Sequence, residues 1–329
     1  MNKLQKIAGP LKVSGGKVVP SGIMPGPMEG VMTPLLCKAL ETLGLLDFWI
    51  TPFIRITTGV PKIKTFRRKV SQFTEAGLPT IVQLMGTDPE KLGESAAQIQ
   101  KLNLLGVNMN FGCPSKRVVS HEGGGSQLRT PQLMNDILTS MKKATPNFSV
   151  SAKIRTGFDD IAQMEDAIPA ACEAGIDFLM VHFRTVKEGY RKVDLGMERL
   201  ARAVELAGDI PVIGSGDIFT PHDAKRMQDI SGCAGITVAR GLLKNPFLIR
   251  EIQEFFNTGD FTTTLSHKII FFDTMIKLAR ETPEKYWIRP NFIELGKFLW
   301  GVDSVEFHHL KTMTKEDYFA LGSIAEISP

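Results

Sequence analysis

What this 329-residue sequence lacks narrows it before any motif does. It has four cysteines, Cys37, Cys113, Cys172 and Cys233, and no two of them stand at metal-ligand spacing. That argues against structural zinc or a disulfide framework and fits a reducing cytosol. No apolar run approaches the ~18–20 residues that cross a bilayer. The first residues, MNKLQKIAGPLKVSGGKVV, carry lysines but no continuous apolar stretch of the kind a signal peptide needs. A cytoplasmic monomer with neither membrane nor metal partner is the expectation. There is no low-complexity tract, and 43% apolar with 22% charged residues is enough for a large core. No GxGxxG follows the first apolar segment, which leaves a doubly wound nucleotide-binding sheet as the second choice of fold.

Charge has a local absence too. The net charge is only +4, yet residues 55–69, RITTGVPKIKTFRRK, hold six basic side chains and no acidic one. From Asn257 onward, eight Lys and Arg stand against ten Asp and Glu, so the excess of +6 lies in the part before it. A solvated face is the ordinary explanation of such a run. A polyanion footprint has the same appearance.

After residues 1–21, read as a loose tail, eight short apolar segments recur about every thirty residues. They are 22–25, 48–50, 80–85, 107–110, 150–154, 178–182, 211–214 and 235–239. Stretches of helical periodicity separate most of them, several opening on Thr-Pro or Asp-Pro, as at Thr33, Asp88 and Thr220. Eight alternations of strand and helix predict an α/β chain folded as a (β/α)₈ TIM barrel over 22–256. Alternation then stops, and 257–329 reads as a small C-terminal helical domain with helices over 268–280, 292–300 and 315–325.

Chemistry in this fold sits at the C-terminal ends of the strands, and those ends are polar throughout. Met28 and Glu29 follow the first, Arg55 the second, and Gln83 lies in the third. Lys153 and Arg155 end the fifth, His182 and Arg184 the sixth; each pair is two residues apart and shares a face. Ser215, Gly216 and Asp217 follow the seventh, and Arg240 the eighth. The fourth is the centre of the chain, VNMNFGCPSKRVVSHEGGGSQ over 107–127. Asn108 and Asn110 point one way, Cys113 stands just past the strand end, and a basic glycine-rich loop follows. A cysteine packed in the core is the bland alternative.

The last two strands end in GSGDI and ARG, which offer backbone N–H groups and an arginine to a phosphate. Amides at strands three and four suit a heterocycle, and Lys153 would set a cation against an anionic ring. That set suits a reduced flavin mononucleotide. Cys113 would then be a proton donor, since a free thiol is mostly protonated at neutral pH. A nucleophilic role needs a base, and His121 is the only candidate near it in the loop.

The motifs GPMEG (26–30), VQLMG (82–86), NMNFGCPSK (108–116), GGG (123–125), AKIR (152–155), VHFRT (181–185), GSGDI (214–218) and ARG (239–241) stand in one order. Together they resemble the tRNA-dihydrouridine synthases, flavoenzymes that use NADPH to reduce C5=C6 of uridine in tRNA. The CPSK and GGG loop is most similar to the bacterial C-type subfamily. The resemblance implies bound FMN, with hydride passing from flavin N5 to C6 and a proton from Cys113 to C5. It assigns the flavin to Pro27, Met28, Glu29, Gln83, Lys153 and His182, and its phosphate to Ser215, Gly216, Asp217, Ala239 and Arg240. It gives Asn110 and Arg155 to the uracil pocket, and Arg184, Lys116, Arg117 and Arg55 with its basic run to RNA.

Three departures stand out. The family usually has Asn where Ser215 stands, and often Ala at Gly26. In YWIRPNFIELGKFLWG (286–301), Asn291 and Ile293 fall where family members carry RNA-binding cations, and Pro290 interrupts the segment. The alternatives are the same flavin chemistry on another RNA, such as ribosomal RNA, or on a small enone or pyrimidine. A catalytically quiet RNA-binding protein of the same fold is the third.

Overall fold

The computed structural model describes residues 9–73 and 77–327. Eight parallel strands carry the fold: β1 (Ile23–Pro25), β2 (Trp49–Ile50), β3 (Thr80–Met85), β4 (Gly106–Asn110), β5 (Ser149–Arg155), β6 (Leu179–His182), β7 (Val212–Ser215) and β8 (Gly235–Val238). Each pairs with the next from β2 onward, and β8 returns to pair with β1. Among the described residues β1 and β2 share no ladder, so the barrel is nearly closed, and Ile54–Arg55 extends the β2 side by pairing with β3.

The barrel helices are α1 (Pro34–Thr42), α2 (Ile63–Ser71), α3 (Pro89–Gln100), α4 (Pro131–Ala144), α5 (Met164–Glu173), α6 (Gly196–Ala207), α7 (Pro221–Ser231) and α8 (Leu248–Thr258). Three of them start where a capping side chain precedes a proline. Thr33 accepts from Leu36 N–H, Asp88 from Lys91 N–H, and Thr220 forms a reciprocal box with Asp223. The cap satisfies an otherwise orphaned donor, and proline at the first turn has none to lose.

Strand alternation sorts the core into two. Outward side chains such as Val82, Leu84, Val107, Met109, Val150 and Ile154 pack under the helices. Inward ones, Met24, Ile50, Ile81, Met180 and Ile213, fill the barrel's lower interior. Residues 11–19 are not a loose tail. Leu11–Lys12 pairs antiparallel with Val18–Val19, and this hairpin buries Val13 and Val19 against the lower interior cluster. Ser14 fixes it to the barrel by donating from its N–H (2.9 Å) and hydroxyl (2.6 Å) to Asp177. The hydrophobic pattern of so short a hairpin is too weak to read from sequence; residues 1–8 lie outside the described ones.

The C-terminal helices are α9 (Leu265–Glu281), α10 (Pro283–Tyr286), α11 (Arg289–Trp300), α12 (Val305–Thr312) and α13 (Lys315–Ala320). Pro290 does not interrupt α11 but sits in its first turn, where proline is tolerated. Helix α9 packs on α1, and α11 on the short helix Arg240–Lys244 that follows β8. Aromatic edges join these helices to one another, with Phe292 against Phe272, Trp287 and Tyr318.

Candidate active site

The C-terminal ends of the strands surround a cavity of about 490 Å3. Strand register sets its wall. Asn110 lies opposite Lys153, Arg155 opposite His182, His182 opposite Ser215, and Ser215 opposite Thr237. All six line the cavity, joined by Pro27, Met28 and Glu29 after β1 and by Cys113 after β4.

Beneath the wall runs a directed chain of amides. Asn108 Nδ2 donates to Ser151 (2.9 Å), Gln83 Nε2 to Asn108 (2.8 Å), and Asn110 Nδ2 to Gln83 (2.8 Å). The last acceptor, Asn110 Oδ1, takes the N–H groups of Gly112 and Cys113, both at 3.0 Å. Each bond fixes the flip of the next amide, so the interior of the barrel sets the loop that presents Cys113.

The glycine loop holds Cys113 from the other side. Gly125 N–H donates to the Cys113 carbonyl (3.1 Å). A Cβ on Gly124, whose φ is +57°, would lie 2.9 Å from the Cys113 Cβ, and one on Gly125 would lie 2.4 Å from Val186. Glycine alone permits that approach. Arg155 completes the clamp by donating from Nε to the Gly112 carbonyl (2.9 Å) and from Nη1 to Thr185 (3.0 Å) and Gly189 (3.2 Å).

The wall is cationic but not uniformly charged. Burial, with Arg155 adding to it and Cys113 opposing it, lowers Lys153 to about 8. Burial also takes His182 well below its ordinary value, and Arg155, Lys153, Arg184 and Arg240 push it the same way. His182 is therefore neutral at pH 7. Its Nδ1 accepts from the Arg184 N–H (3.2 Å), so Nε2 carries the hydrogen. At the rim, burial raises Glu29 while Lys69 and Arg55 oppose that rise.

At the β7–β8 end the chain turns through two residues of positive φ. Gly216 has φ +139°, and a Cβ there would lie 2.3 Å from the Phe183 ring. Asp217 is left-handed at φ +46°. Its carboxylate accepts from Arg240 (2.7 Å) and, through both oxygens, from Arg184, with Nη1 at 3.0 Å. Asp217 thus holds Arg240 and Arg184 while lining the cavity itself.

The comparisons with known proteins cover most of the chain. The model of the family described as dihydrouridine synthase (Dus) matches residues 24–286. The chain belongs to the dihydrouridine synthase family. It is 36% identical over 233 residues to the tRNA-dihydrouridine(16) synthase of Cupriavidus necator, covering 69% of this chain and 72% of that one. To the protein of the same name in Pseudomonas syringae it is 35% identical over 232 residues, 69% and 73% of the two chains. Among solved structures, a variant of NCR from Zymomonas mobilis superposes with a TM-score of 0.54 at 16% identity, over 78% of this chain and 92% of that one. That likeness speaks to the fold alone.

Set against the residues expected of a dihydrouridine synthase, the structure redistributes several. Arg184, expected at an RNA phosphate, is 2% exposed and tied to Asp217 and the Arg191 carbonyl. Gln83 is 1% exposed, one layer behind the wall, and acts on Asn110. Lys116, Arg117 and Arg55 are exposed at the rim. His121 is exposed, with Nδ1 at 2.8 Å from the Arg117 carbonyl, and does not line the cavity; the histidine beside Cys113's cavity is His182. Sequence reasoning missed Phe53, Tyr190, Phe219, Thr237 and Phe298, which also line it. Tyr190 is 60% exposed and lies beneath Arg240 (4.4 Å). An exposed aromatic beside VHFRT was the one signal available.

Proposed function

We propose that this dihydrouridine synthase family member binds FMN in the cavity, takes its reducing equivalents from NADPH, and reduces uridine in tRNA to 5,6-dihydrouridine. The observation that carries this is the position of Cys113: its loop is fixed by Asn110 and the glycines at the edge of a cavity lined by Lys153, His182 and Arg240.

The residues fit the cofactor. The volume is that of a small-molecule site. Gly216 lines the cavity with its backbone while Phe183 packs against it where a side chain would stand, and Arg240, held by Asp217, offers a cation to a phosphate. When bound, reduced FMN supplies the hydride that is delivered to C6 of the uracil. Lys153, charged below about 8, faces the cavity as a cation for an anionic ring. Neutral His182 donates from Nε2 without adding charge. Cys113 Sγ holds the proton that is given to C5, and Arg155 keeps its loop in register through Gly112. Met28 and Pro27 line the β1 side.

RNA meets the rim. Helix α2 buries Phe66 and Val70 and exposes Lys64, Arg67, Arg68 and Lys69, which have no ion-pair partner among the described residues. Asn291 and Ile293 leave α11 without cations at those positions. The test is nucleoside mass analysis of tRNA incubated with purified protein, FMN and NADPH. Dihydrouridine should form with wild type and fall at least a hundredfold with Cys113→Ala. FMN binding without dihydrouridine in tRNA would move the substrate to another RNA or a small pyrimidine.

A further inference from the structure

Thr237 occupies the middle of β8, register-paired with Ser215 on β7 and Met24 on β1. It is 1% exposed and lines the cavity, and its hydroxyl has no hydrogen-bond partner. Among the described residues no other side chain of the cavity wall carries a buried, unpartnered polar atom. The neighbours explain why the protein gives it none. Ile213 and Met180 pack the lower interior, Met24 flanks it, and Ala239 follows on the same face. Valine has the same shape and would fill this place without a polar atom to desolvate. A hydroxyl kept here is costly unless something in the cavity bonds it. Ser215 puts a second hydroxyl at the same level on the adjacent strand, 3% exposed and also in the wall.

We propose that Thr237 is a cofactor-binding residue, its hydroxyl bonding a polar atom of the flavin beside Ser215 so that β7 and β8 together grip the group from below. The inference rests on the flavin reading of the cavity. It assigns a contact to a strand-interior position that no glycine, basic or amide motif marks.

Full-length protein stripped of flavin is titrated with FMN, following quenching of flavin fluorescence, for wild type, Thr237→Val and Thr237→Ser. Thermal midpoints are measured with and without FMN. Thr237→Val should raise the FMN Kd about tenfold, the loss of one buried hydrogen bond, while Thr237→Ser stays within about twofold of wild type. Without FMN, Thr237→Val should melt no lower than wild type, because it removes an unpaired hydroxyl; a packing defect would move both states down together. The bound-flavin absorbance should shift in the Val variant and not in the Ser variant. A Val variant that binds FMN within twofold of wild type overturns the inference and leaves the cavity reading standing. Wild type that takes up no FMN overturns both. Should Thr237→Val fail to fold, Thr237→Ala is titrated instead, and the same Kd criterion applies.

Discussion

Replacing Asn110 with alanine strikes the amide chain where it meets the reactive loop. The side chain accepts two backbone N–H groups, from Gly112 and Cys113, and donates to Gln83, and it is 8% exposed. Alanine leaves two donors and the Gln83 oxygen without partners. Each orphaned buried group costs about 1–3 kcal/mol, and Cys113, only half-buried, regains part from water. The expected loss is about 3–5 kcal/mol, a large share of a typical domain's stability. Asn110→Asp should behave differently. It keeps an acceptor for both N–H groups but sets an oxygen against the Gln83 oxygen. Gln83 can flip, Asn108 can flip in response, and the Ser151 hydroxyl, now donating to the Val107 carbonyl, can rotate to absorb the change. Aspartate should therefore cost about half as much as alanine, despite its charge. Urea unfolding of the full-length apoprotein reads both values. An alanine variant within about 1 kcal/mol of wild type would refute the claim that this chain holds the Cys113 loop.

Three further outcomes follow from the same geometry. Lys153, lowered to about 8, is charged at pH 7 and neutral at pH 9, so affinity for FMN should fall as pH rises through that value. Titrations from pH 6.5 to 9.5 should lose this alkaline limb in Lys153→Met. Asp217→Asn deprives nearly buried Arg184 and half-exposed Arg240 of their carboxylate. Discounted for the exposure of Asp217, it should cost about 2 kcal/mol in thermal unfolding. Replacing Arg67 and Lys69 of α2 with serine should lower the log–log salt slope of tRNA binding by about 1.5 units, while Lys297→Ser on α11 changes it by less than about 0.5.

Much of this was legible because barrels repeat. Eight apolar segments mark the strands, and Thr-Pro or Asp-Pro starts mark three of the helices, which begin where those caps stand. Side-chain roles were less legible where charge was read without depth. Arg184 and Arg155 look alike in sequence, each two residues after a strand residue that faces the cavity, and both are buried clamps. Gln83 reads as a ligand contact, yet its strand position puts it one layer below the wall. Phe298 could not be foreseen, since it comes from a helix packed after the barrel is complete. Pro290 misled because its effect depends on helix position: harmless in the first turn, disruptive in the interior.

The barrel's circular order also separates two charged poles. Gly216 and Arg240 follow β7 and β8, and Asp217 holds the arginine there. The basic run 55–69 follows β2, and Lys116 and Arg117 follow β4. Strands β2, β3 and β4 are consecutive around the wall, so these cations share one sector of the rim, across the mouth from Arg240. Glu29, the acidic side chain at that edge, is opposed by Lys69 and Arg55. Cys113 belongs to the β4 side and Lys153 to β5, so in the proposed reading the proton donor stands at the RNA pole while the cofactor's phosphate is held at the other. A uracil turned out of folded RNA would then enter from the side that neutralises its backbone, reaching the thiol before the cofactor's phosphate end.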